Sequence, residues 1–301
     1  MSSVSLPRRF ALELTPEQFV WVARAAVACL VGIVATGATV RLTGSGLGCP
    51  HWPTCTTAHA LPRGYHSDIE FANRVVSAVT IFATLALALA AFRTPHAPCR
   101  FAVAVFLGTL AQAPLGAITV YYHLNPYLVI SHLLLSLTVL GLGVLTLLFA
   151  HPGGASLPAI ARTGGAALMI AIAVLVVTGT LSTAAGRFPG SNGTQVVQRI
   201  GNFHDAVWLH VRAVAAFGIV FLALAAWAWT RRRESPWFLR GCAGLLLILL
   251  AQMGLGELQY RTYGTVPWWV VVLHVALAAG LFAWTVGLVA RLWRPVHSVN
   301  G

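Results

Sequence analysis

Leu110-Ala-Gln-Ala-Pro-Leu-Gly116 returns 140 residues later as Leu250-Ala-Gln-Met-Gly-Leu-Gly256. Three further matches keep the same order: Thr36-Gly37 with Thr178-Gly179, His66 with His204, and Arg74 with Arg212, at offsets of 138 to 142. Self-similarity at a fixed offset marks one structural unit used twice. Both LAQ segments lie inside long apolar runs, so the repeated unit is built from apolar helices.

Those runs define the class. Hydrophobic residues make up 58% of the 301 residues and charged residues 9%, against roughly 25% charged in a soluble domain. A hydrocarbon core is crossed by about 20 apolar residues in a helix. Qualifying runs fall at 19–40, 69–92, 101–121, 127–150, 164–185, 205–230, 238–258 and 266–290. The fold expected is an all-α membrane protein, with eight transmembrane helices arranged as two pseudo-symmetric four-helix bundles. The offset spans four helices, an even number, so the two units share one orientation and are related by an axis along the membrane normal. Their boundaries are 1–160 and 161–301. The first run follows a polar segment and no A-x-A-like cleavage site, so it reads as a retained helix and not a signal peptide.

The net charge of +12 comes from 19 arginines and no lysine. Eleven of them (Arg8, Arg9, Arg93, Arg100, Arg162, Arg231, Arg232, Arg233, Arg240, Arg291 and Arg294) lie at the termini and the even-numbered loops. Only Arg41, Arg63, Arg187, Arg199 and Arg261 belong to the odd-numbered loops. That bias places both termini in the cytoplasm by the positive-inside rule, and it excludes a nucleic-acid reading of the charge. Cys49 and Cys55 then share an outward loop, GLGCPHWPTC, in a compartment that permits oxidation; a disulfide or two free thiols fit there. Cys29, Cys99 and Cys242 read as small packing residues.

Ionisable groups at membrane depth are costly and usually functional. His132 follows Pro126 by six residues and His274 follows Pro267 by seven, so both lie about 10 Å below a helix start. His210 sits at a similar depth, with Asn73 as its nearest polar counterpart. Imidazoles at matched depth on facing helices suit a heme iron; for any one alone, a packing histidine is the competing reading. Glu70 and Asn73 share a helix face. Two roles are open to Glu70: proton transfer beside a cofactor, or an ion pair with Arg74 or Arg41. Arg74 and Arg212 suit heme propionates or snorkel to the interface. His51, His59, His66, His123 and His204 lie at the outer face, His96, His151 and His297 at the inner one. Glu257 reads as a partner of Arg261.

The chain resembles the heme A synthase family over nearly its whole length. The motifs are TGATVRLTGSGLGCPHWPTC, IEFANR, LAQAPLGAITVYYHLNPYLVISH, FHDAVWLH and LAQMGLGELQYRTYG…VVLH. The resemblance implies heme b between His210 and His274 in 161–301, and substrate heme O in 1–160 with His132 as a ligand. It further implies Glu70 as catalytic and Cys49 with Cys55 as the loop pair. The activity implied is oxidation of the heme O methyl group to the formyl group of heme A, for terminal oxidase assembly. Two positions depart from the family. Asn73 stands where the pattern has a second histidine, which leaves an open iron face beside His132, or a place for His66. The loop 186–204 has no cysteine, so the second disulfide of some relatives is absent.

Partners implied are heme O, the prenyltransferase that makes it, an electron donor and the lipid bilayer of a bacterial cell membrane. Nucleic acid is excluded and self-association into a homo-oligomer is left open. The competing reading is a diheme b-type electron carrier without substrate chemistry, against which the incomplete pair at Asn73 and the nearby Glu70 count. A transporter would need broken helices at the repeat interface.

Overall fold

The computed structural model describes residues 13–49, 51, 54–57, 61–150, 157–192 and 197–293. Arg8, Arg9, His59, His151, Arg294 and His297 lie outside them. The chain is an integral membrane protein, and among the described residues it is helical, with eight helices long and apolar enough to span a bilayer. They are α1 (Pro16–Leu42), α2 (Tyr65–Phe92), α3 (Cys99–Tyr121), α4 (Pro126–Phe149), α5 (Ala159–Ala185), α6 (Phe203–Thr230), α7 (Pro236–Arg261) and α8 (Trp268–Leu292).

Capping residues set several boundaries. Thr15 and Gln18 form a reciprocal capping box ahead of α1, with Pro16 in its first turn, where a proline costs no hydrogen bond. The side chains of Asn125 and Asn202 accept from the Tyr127 and His204 amides at the starts of α4 and α6. Seven helices begin one to five residues before the apolar runs, because these polar and proline starts belong to the helix. The eighth begins two residues later than its run, since Pro267 takes the N-cap position.

Helices α1 to α4 close a ring through the contacts α1–α2, α2–α3, α3–α4 and α1–α4, and α5 to α8 do the same. The rings meet through α1–α8, α4–α8 and α4–α5. Two apolar cores follow, one around Phe19, Leu87 and Leu140, the other around Phe217, Phe221 and Phe238. Glycines allow the close approach at the junction, as is usual where lipid supplies no hydrophobic drive between helices. A Cβ on Gly141 of α4 would lie 3.3 Å from the Phe282 ring of α8, and one on Gly287 of α8 would lie 3.3 Å from Val144 of α4. Cys242 is buried in the second core.

On the side of the odd-numbered loops, the two groups of helices are also tied by backbone. Ser45 and Ser191 form an antiparallel bridge, and the Gly46 amide donates to the Gly190 carbonyl at 2.7 Å. Gly44 and Gly190 adopt positive φ there, 72° and 98°. A side chain at Gly44 would also meet Asn192, at 2.9 Å.

Candidate heme-binding site

His210 on α6 and His274 on α8 line one cavity of about 500 Å³ between α5, α6, α7 and α8, which extends to Val34 and Arg41 of α1. Each ring lies against a glycine of a neighbouring helix. A Cβ on Gly179 would sit 3.1 Å from His210 Cε1, and one on Gly256 would sit 3.4 Å from His274 Cε1. Thr178 Oγ1 lies 3.2 Å from His210 Nδ1 and also donates to the Val174 and Leu175 carbonyls. A hydroxyl that donates to its own helix can accept from Nδ1, and that tautomer leaves Nε2 with a lone pair.

His132 on α4 lies against Gly116 of α3, where a Cβ would be 3.6 Å from its Cε1. Nδ1 of His132 and Nδ1 of His274 are both buried without a hydrogen bond of ordinary geometry. Gln112 donates to the His132 carbonyl and to Ser136 Oγ, at 3.2 and 2.8 Å. Thr36 Oγ1 donates to Asn73 Oδ1 at 2.7 Å, as its counterpart Thr178 holds His210. The two pairs span 37 and 32 residues, so the disulfide-containing connection is five residues longer than its counterpart. Asn73 therefore matches His210 at an offset of 137, one residue away from the register that the Arg74–Arg212 pairing suggests. Being shorter than histidine, Asn73 leaves the position beside Gly37 open, with nothing within 4 Å of a Cβ there.

Glu70 is buried, at 5% exposure. Its Oε2 accepts from the Cys49 amide at 2.7 Å and its Oε1 pairs with Arg74 Nη2 at 2.6 Å. Arg74 also donates to the carbonyls of Cys49, His51 and Thr54. Cys49 and Cys55 are joined by a disulfide, so the carboxylate and guanidinium hold the loop that the disulfide closes. Of the two arginines considered for Glu70, Arg74 is the partner; Arg41 instead donates to the Thr183 carbonyl at 3.1 Å. His66 has both ring nitrogens in contacts, 3.0 Å from Ser45 Oγ and 3.0 Å from Asn192 Nδ2. It joins the α1–α2 and α5–α6 connections, and service as an iron ligand would break that link. Glu257 pairs with Arg261 at 2.6 Å.

Neither Arg74 nor Arg212 lines the large cavity. Arg212 faces a separate surface pocket with His204, Asp205 and Trp208. The arginines that line the cavity are Arg41 and Arg187, which the sequence shows only as sparse charges near the ends of α1 and α5. Their signal was the scarcity itself, because few arginines stand on that side.

Two predictions arise from this geometry. Gly179→Ala forces the His210 ring to move by a few tenths of an ångström, an overpacking cost of about 1–3 kcal/mol. It is expected to reduce bound low-spin heme more than Gly256→Ala does; equal, full occupancy in both would count against the ring positions. The Cys49–Cys55 disulfide should label with membrane-impermeant thiol reagents on intact spheroplasts only after reduction. Labelling that needs the inner face opened would reverse the topology.

A family model described as cytochrome oxidase assembly protein, COX15-CtaA, matches residues 20–68 and 65–286. The chain belongs to this heme A synthase family. Heme A synthase of Geobacillus kaustophilus is 36% identical over 104 residues, covering 33% of this chain and 32% of that protein. Heme A synthase of Shewanella oneidensis is 29% identical over 153 residues, covering 45% and 46%. Protoheme IX farnesyltransferase of Thermus thermophilus is 30% identical over 272 residues, covering 82% of this chain and 44% of that protein. The matches thus span between about a third and a half of the length of these relatives.

Proposed function

We propose that the protein acts in heme A biosynthesis by oxidising the methyl group of heme O to the formyl group of heme A. The observation that carries this reading is the pair His210 and His274 lining one cavity, in a chain of the heme A synthase family. The residues fit a heme. Two imidazoles reach a common apolar space, glycines flank both rings, and Thr178 orients His210 from behind, as outer partners of ligating histidines do.

In this reading His210 and His274 would hold a heme b, and 161–301 is the cofactor half. His132 is a ligand for substrate heme O in 1–160. The heme, when bound, supplies one-electron chemistry. The chain's own part is to bind, orient and manage protons. Glu70, fixed by the Cys49 amide and Arg74, stands one helical turn before Asn73 and is the group that exchanges protons as the methyl carbon loses hydrogen and gains oxygen. Asn73, already bonded to Thr36, leaves His132 as the only imidazole of its pair. That asymmetry between the halves favours an enzyme over a diheme electron carrier, which needs two complete pairs.

The arginine bias supports cytoplasmic termini and an extracytoplasmic Cys49–Cys55 loop. The matching contacts within and between the two rings of helices support a pseudo-symmetric pair of bundles. A relative named for farnesyl transfer to protoheme contains a stretch similar to most of this chain, which supports a heme O-producing prenyltransferase as the partner that hands over substrate. The electron donor is a separate component.

Co-expression with a heme O-producing farnesyltransferase, followed by chromatography of extracted hemes, tests the reading. Heme A or its hydroxymethyl precursor should accumulate only when this chain is present. Unchanged heme O together with a redox-active bound heme b would favour the electron carrier.

A further inference from the structure

Two arginines, Arg41 and Arg187, line the His210–His274 cavity without an ion-pair partner, and a third, Arg199, stands close enough to Arg41 for their charges to interact. Among the described residues the ion pairs are Glu70–Arg74, Glu234–Arg231 and Glu257–Arg261, none of which involves Arg41, Arg187 or Arg199. Arg41 extends from the end of α1 across to the last turn of α5. Its Nη2 donates to the Thr183 carbonyl, its Cγ lies 3.6 Å from a Cβ placed on Gly190, and its Nε is buried with no partner. Arg187 donates to the Tyr263 carbonyl at 2.8 Å and lies 5.2 Å from the Phe188 ring centre. Arg199 donates to the Phe188 carbonyl at 3.4 Å, and its Nη2 is buried with no partner.

This grouping is costly as it stands. Arg41 and Arg199 lie within each other's field, so their charges repel, and the low-dielectric surroundings strengthen that repulsion. Burial pulls the Arg199 guanidinium below the ordinary arginine value, with Tyr263 opposing in part. Unbonded buried N–H groups of a cation forfeit hydration without return. Carbonyl partners satisfy some donors but cancel no charge. A carboxylate would do both, since guanidinium and carboxylate match in shape as well as charge. Most of the remaining lining is apolar, with His210, His274, Gln252, Gln259 and Glu257 among its polar groups, and Glu257 is already paired with Arg261. Its chemistry suits a flat apolar ligand with carboxylates along one edge.

We propose that Arg41, reaching from the first four helices into the cavity of the last four, joins Arg187 and Arg199 in binding the propionate carboxylates of the heme held by His210 and His274. The proposal rests on the heme b reading above. It makes the cofactor site a shared one. The ligands come from one half of the chain, and an anchoring cation comes from the other, steadied by the Ser45–Ser191 bridge nearby.

The test is titration of the purified, heme-depleted full chain with heme b and with heme b dimethyl ester, whose carboxylates are masked. The wild type should prefer the free acid by about tenfold to a hundredfold, the range of charge-assisted hydrogen bonds. Arg41→Gln and Arg199→Gln should each erase most of that preference, while the low-spin spectrum of the bound heme persists. Arg41→Lys, which keeps the charge, should retain part of the preference, and it also serves if Arg41→Gln fails to fold. A wild type that binds both hemes equally overturns the proposal. So does an undiminished preference in Arg199→Gln and in the Arg41 variants, and in both cases heme binding at His210 and His274 still stands. A wild type that binds neither heme overturns the underlying heme b reading.

Discussion

His274→Ala is expected to abolish the low-spin heme b spectrum of the purified protein, and His210→Ala to do the same. Both imidazoles line the same cavity, and a low-spin heme there would need both of them. The protein itself should remain in the membrane. Both histidines are only half-buried in the helix packing, and neither belongs to the apolar cores around Phe19 and Phe217. Truncation therefore enlarges an existing cavity and spares the packed layers, whose loss would cost about 2–5 kcal/mol per large side chain. Recovered yield and the Cys49–Cys55 disulfide serve as controls. An unchanged low-spin spectrum in the double variant would remove both residues from the iron.

Glu70→Gln should lower heme A formation by about 10²- to 10⁴-fold, the usual contribution of a positioned acid–base group, with normal heme b at His210 and His274. Gln keeps an acceptor for the Cys49 amide but loses the charge opposite Arg74. The remaining Arg74 bonds to the carbonyls of Cys49, His51 and Thr54 still hold the loop, so the disulfide should stay as protected from reductant as in the wild type. Arg74→Gln supplies the comparison, because it loosens the loop and retains the carboxylate. If Glu70→Gln loses activity only together with disulfide protection, Glu70 is a loop clamp. Full heme A production by Glu70→Gln would end its catalytic assignment outright.

How much of this was legible in the sequence depends on the range of the interaction. Helix positions were, because an apolar run of sufficient length has one solution in a bilayer, and Pro16, Asn125, Asn202 and Pro236 mark their starts. So were the positions of His132, His210 and His274 near the starts of α4, α6 and α8, since they follow from counting residues along each apolar run. The Cys49–Cys55 disulfide was one of two open states until the structure joined them. Side-chain partnerships across the two halves were not legible. Arg41 bonds to Thr183 and His66 contacts Asn192, over 142 and 126 residues, and no periodicity encodes such pairs. The register of Asn73 was off by one because the matches used, His66–His204 and Arg74–Arg212, are not spatial equivalents. The threonine contacts pair Asn73 with His210 instead, at an offset of 137. Arg74 and Arg212 drew attention as recurring intramembrane cations; Arg74 holds a loop, and the His210–His274 cavity is lined by Arg41 and Arg187.

The most direct measurement of the central claim uses the purified protein in detergent, with heme b bound, incubated with heme O, a reductant and air. Extracted hemes are then resolved by chromatography over time. The account predicts that heme O declines as the hydroxymethyl form and then heme A appear, and that Glu70→Gln halts this conversion while binding heme O. Heme O that stays unaltered beside a wild type retaining both hemes and cycling its heme b would contradict it.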